Sequence, residues 1–112
     1  MREKKEMLLS YVKANIAPIL VDFIFGQDLE DSIVLPANID INQILNTNTS
    51  KLLVIDKIDS IPKEEQLKFC ELLKYRKIST FELPKNCVII VTATTINNKK
   101  INNEILSLVA QI

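Results

Sequence analysis

Three apolar runs do most to limit what this chain can fold into: residues 17–25, interrupted by Asp22, residues 52–55, and residues 87–93. Each is far shorter than the roughly 20 residues that span a bilayer, and each is apolar at odd and even positions alike. Strands buried on both faces read this way, and they belong to parallel sheets covered on both sides. Helical segments are expected between them. Residues 2–15 are rich in helix formers, with Met7, Leu8, Tyr11 and Val12 on one face. Residues 29–33 read as a helical turn, and Asp40 as the cap of a short helix over residues 41–45. Pro62 suits a first turn, followed by Glu64 and Glu65 at the positive end of a helix that runs to about Tyr75. That helix is expected to bury Leu67, Cys70 and Leu72 or Leu73, with Lys74, Arg76 and Lys77 at its negative end. An extended piece around Thr80 and Phe81 and a turn over residues 83–86 lead into the third strand. Asn102 or Asn103 caps a last helix bearing Ile105, Leu106, Leu108 and Val109. The expectation is α/β: one small three-layer domain over residues 1–112, a parallel sheet of about three strands flanked by helices.

Composition narrows the chemistry. The chain has no His, two Cys and one Gly, and its 14 basic residues balance 14 acidic ones. Imidazole acid–base work and a His/Cys zinc site are excluded. A Gly-rich phosphate loop cannot be built from Gly26 alone. Zero net charge removes the electrostatic case for nucleic acid or a membrane surface. Two Cys and no charged leader before an apolar run point to a reduced, cytoplasmic setting. Cys70 and Cys87 read as packing residues, since a nucleophilic thiol lacks a His partner here.

Residues 52–61 carry four apolar residues, Asp56, Lys57, then Ile58 and Asp59. This segment resembles the Walker B strand of AAA+ ATPases. Pro62, Leu67, Leu72, Leu73 and the basic turn at Arg76, Lys77 and Ile78 look like the helix that follows it in the MoxR-like branch. Residues 83–94 are similar to that branch's turn and fourth strand, which leads to the sensor 1 residue. Val21 to Phe23, the acidic residues through Asp31, and Leu35-Pro36 look like its second strand and the loop after it. In order, these segments cover roughly residues 7–96.

The departures from the family matter as much. Read this way, the first strand and its phosphate-binding loop are missing, and so is most of the nucleotide-binding energy. The Glu that orients the attacking water falls at Lys57, and an ammonium beside a carboxylate is a poor base. The sequence also shows no fifth strand, arginine finger or helical lid. The resemblance therefore implies a degenerate AAA+-like module that hydrolyses no ATP of its own and acts through protein contacts. Two alternatives stand beside it. One is a split AAA+ ATPase whose phosphate loop comes from another polypeptide, with ATP and Mg²⁺ bound only when that partner completes the site. The other is a clamp-loader-like small subunit.

By resemblance, Asp56, Asp59 and Thr94 (Thr95 if the alignment slips) are the remnant of a nucleotide and Mg²⁺ site. The plainer reading makes Asp56 a strand-end carboxylate satisfied by a backbone N–H or Lys57, and Thr94 a turn hydroxyl. No catalytic residue and no resident metal are assigned. Asp22, Asp28, Glu30 and Asp31 match no calcium loop and read as solvated. Arg2, Lys4 and Lys5, and Lys99 and Lys100, read as helix-end and loop charges. The family's strand order, 5-1-4-3-2, becomes 4-3-2 without strands 1 and 5. Val88, Ile89, Ile90 and Val91 would then form an unguarded edge, expected to be covered by a protein partner, a second copy or the segment 101–112.

Overall fold

The structure is a computed structural model. It describes Ser10 and residues 18–22, 32–46, 52–78, 80–84, 87–95 and 99–111. The expected helix over residues 2–15 lies outside the described residues apart from Ser10, as does the acidic stretch Asp28, Glu30 and Asp31.

The fold is α/β, and the described residues form five parallel strands: β1 (Ile19–Asp22), β2 (Ser32–Pro36), β3 (Leu52–Asp56), β6 (Val88–Ala93) and β7 (Ala110–Gln111). A hairpin, β4 (Lys77–Ile78) and β5 (Phe81–Glu82), forms a separate antiparallel pair. The large sheet runs β2-β3-β6-β1-β7. The three strands expected from the apolar runs are present, and two more join them. Ser32 and Ile33, expected in a helical turn, instead begin β2, because pairing along β3 gives their backbone groups partners that one helical turn lacks. β7 is only two residues long, and Ala110 N–H reaches the Pro18 carbonyl at 2.7 Å.

The largest correction concerns the edge. β6 pairs with β3 on one side and with β1 on the other, Ile90 lying opposite both Val54 and Ile19. Val88, Ile89, Ile90 and Val91 are therefore interior and buried, which is why they carry no Pro, charge or bulge. Among the described strands, the outermost are β2 and β7.

One sheet face carries Leu20, Leu35, Leu53, Ile55, Ile89, Val91 and Ala93, packed beneath helical residues Phe69, Leu72, Leu73 and Ile105. The other carries Ile19, Val21, Leu52, Val54, Val88 and Ile90, also buried. Continuous apolar runs follow directly from burial on both faces.

The helix after β3 is not continuous. It consists of α1 (Lys63–Gln66), a 3-10 turn over Leu67–Phe69, and α2 (Cys70–Tyr75). The tighter turn shifts the buried positions, so Gln66 and Phe69 go inside while Leu67 is exposed. Arg76 ends α2 in the left-handed conformation, φ 58°. Its guanidinium donates to the carbonyls of Pro84 (3.0 Å) and Cys87, tying the hairpin to the start of β6. Asp40 accepts from Asn42 N–H at 3.0 Å and opens a 3-10 helix over Ile41–Asn46. Asn102 caps α3 (Asn103–Leu108), accepting from Glu104 N–H at 2.9 Å.

Candidate functional site at the carboxyl end of the sheet

From β2 the chain steps to β3, then to β6, and passes over β1 to reach β7. From β1 it goes the opposite way, to the far edge. The connections after β3 and β6 share one face, where α2 and α3 pack against each other. The chain thus diverges between β1 and β6, the place where open parallel sheets take ligands beyond the carboxyl ends of their strands. The carboxyl ends of β3 and β6 bring Asp56, Asp59 and Thr94 to this end of the sheet.

Asp56 ends β3 and accepts from the Thr92 hydroxyl at 2.8 Å. The Thr92 oxygen in turn accepts from Lys57 N–H at 2.8 Å. A buried threonine on the neighbouring strand thus serves this strand-end carboxylate. Lys57 is left-handed, φ 54° and ψ 61°, an unfavourable place for a side chain with a Cβ. The bond to Thr92 holds it there.

Asp59 sits in the 3-10 turn Ile58–Ser60 and binds the strand end after β6. Its carboxylate accepts from Thr94 N–H at 3.0 Å, Thr95 N–H at 3.1 Å and the Thr94 hydroxyl. Partial burial pushes its pKa up, but the hydrogen bonds from Thr94, from Thr95 and from its own backbone outweigh this, and the pKa falls below the ordinary value. Thr94 and Asp59 therefore do meet. Asp56 is bound to Thr92, one pleat back from that pair.

Thr92 is the residue that sequence reasoning missed. It sits within an apolar strand of high β propensity, and the available signal was that a fully buried hydroxyl must have partners. Gln66 was missed for a related reason. Completely buried, its amide donates to the carbonyls of Ile61 (3.1 Å) and Lys100 (2.9 Å) and accepts from Asn102 N–H (2.8 Å).

Neither thiol is activated. Burial raises the Cys70 pKa and nearby Glu104 adds to the rise, while burial raises that of Cys87 against the opposing charge of Arg76. Lys99 and Lys100 lie on an exposed turn. A groove of about 410 Å³ is lined by Ile41, Asn42, Lys68, Glu71, Leu72, Lys77 and Ile78, none of which belongs to the Asp56 or Asp59 networks. Among the described residues, no helix is long and apolar enough to cross a membrane.

No protein-family model matches the chain, and no curated protein matches it.

Proposed function

We propose that the chain is a cytoplasmic, degenerate AAA+-like module that hydrolyses no ATP and acts through contacts with other proteins. The observation that carries this reading is the strand order. Taken from the other side it runs β7-β1-β6-β3-β2, which is 5-1-4-3-2 when β1 stands for the family's first strand and β7 for its fifth. The chain then departs from the family differently than the sequence suggested. On this reading β1 takes the place of the first strand, and the sequence after it carries no phosphate loop.

Residues 23–31, which follow β1 in sequence, hold Gly26, Asp28, Glu30 and Asp31 and no Lys, Ser or Thr. Phosphate loops work by turning backbone N–H groups and a Lys toward the anion. Three carboxylates in nine residues oppose that. At the remnant site, Asp56 is engaged by Thr92, and Lys57 stands where the family has its Glu. A split ATPase would need the position beside β6 open for a strand from another polypeptide, and β1 occupies it.

Calorimetric titration of the chain with ATP and Mg²⁺ tests the reading, with Asp56→Ala as control. No detectable heat at millimolar ATP is expected. Micromolar binding that Asp56→Ala abolishes would overturn it.

A further inference from the structure

We propose that the outer edge of β2 takes an extended segment of a partner protein, flanked by basic residues, as an added strand. The inference rests on the reading of the chain as a contact module and names where the contact is made.

β2 pairs with β3 in parallel register, from Ser32 opposite Leu52 to Pro36 opposite Asp56. Along a parallel ladder, residues alternate between turning both backbone groups toward the neighbour and turning both away. The Ala37 N–H donates to the Asp56 carbonyl at 3.2 Å, which fixes the phase. Ile33, Leu35 and Ala37 face β3, and Ser32, Val34 and Pro36 face outward. No described strand pairs on that side.

Pro36 has no N–H to offer, so it costs the ladder nothing and blunts the carboxyl end of the edge. Ser32 and Val34 each keep a donor and an acceptor. An antiparallel strand can pair with both, and Val34, 48% exposed, offers an apolar surface beside them.

Charge selects the occupant. The chain enters β2 through Asp28, Glu30 and Asp31 and passes on to exposed Asp40. A second copy laid antiparallel along β2 would bring the acids that flank this strand in sequence toward those of the first copy. Like charges make that pairing unfavourable. An extended segment with Lys or Arg at both ends meets the acidic flanks instead.

The test follows amide hydrogen exchange by NMR in the full chain, titrated with a synthetic peptide of alternating Thr and Val between terminal lysines. Exchange at Ser32 and Val34 is expected to slow about tenfold, with Ile33 and Leu35 already protected. A glutamate-flanked peptide is expected to leave Ser32 and Val34 unchanged. Val34→Pro removes an outward donor without removing a bond to β3, and should abolish the effect. Four results would each overturn the proposal: equal protection by both peptides, no protection at millimolar peptide, protection in the free chain that grows with its concentration, or protection there at every concentration. ATP binding by calorimetry would instead overturn the functional reading and leave the edge result standing.

Discussion

The Thr92 hydroxyl donates to Oδ1 of Asp56 at 2.8 Å, so one buried side chain fastens the carboxyl end of β3 to β6. The same oxygen takes the Lys57 N–H. Thr92→Val keeps the shape but leaves a carboxylate oxygen and a backbone N–H without their partner. A loss of about 2 kcal/mol is expected by denaturant unfolding. Thr92→Ser should restore most of it. If valine costs nothing, the hydroxyl is not what holds this strand end.

Asp59 gives the chain an acid-sensitive joint. Its folded pKa lies below its unfolded value, which is about 3.9 for an ordinary Asp. The ionised form is thus favoured by folding. Its contribution is fully present above the unfolded pKa and disappears as pH falls through the folded one. Urea midpoints measured from pH 7 down to pH 2 should fall more steeply in the parent chain than in Asp59→Asn. Equal slopes below pH 4 would mean that the Thr94 and Thr95 bonds do not favour the charged form.

The strands that packing dictates could be read from sequence, and those that pairing dictates could not. Residues 52–55 and 87–93 announce burial on both faces, and Ile19–Asp22 sits inside a similar run. β2 is a half-exposed edge ending in Pro36, and β7 is two residues long, so neither carries a periodic signal. Missing them inverted the sheet: β6 was expected at an edge and lies between β3 and β1. At the site, Asp56 and Asp59 were legible as strand-end acids. Their threonine partners come from 35 or more residues away, and only register brings them close.

Gln66 acts as a buried clip. With one amide it serves Ile61, Lys100 and Asn102, and Asn102 reaches back to the Lys63 carbonyl at 3.1 Å. Gln66→Leu is expected to cost about 3 kcal/mol, because two carbonyls and an N–H lose their partner in the interior. Exchange should speed up first at Asn102 and along α3, before the amides of β3 and β6 respond. A uniform loss across the sheet would show that Gln66 supports the whole core rather than this junction.

Lys57 separates what the fold tolerates from what hydrolysis requires. Its left-handed backbone costs about 1–2 kcal/mol relative to an ordinary conformation, and glycine removes that cost while adding about 0.5–1 kcal/mol of chain entropy. Lys57→Gly should therefore raise the melting temperature by a few degrees, about 2–5 °C. A fall would mean that the lysine side chain contributes more than the strain it imposes. Lys57→Glu poses the chemical question. It supplies the carboxylate that the family resemblance calls for, next to Asp56 in sequence. Phosphate release from ATP should nevertheless stay at background, since residues 23–31, which follow β1 in sequence, hold three acids and no lysine. Release above background that Asp56→Ala removes would show that a nucleotide site persists without a phosphate loop, and that Lys57 alone had silenced it.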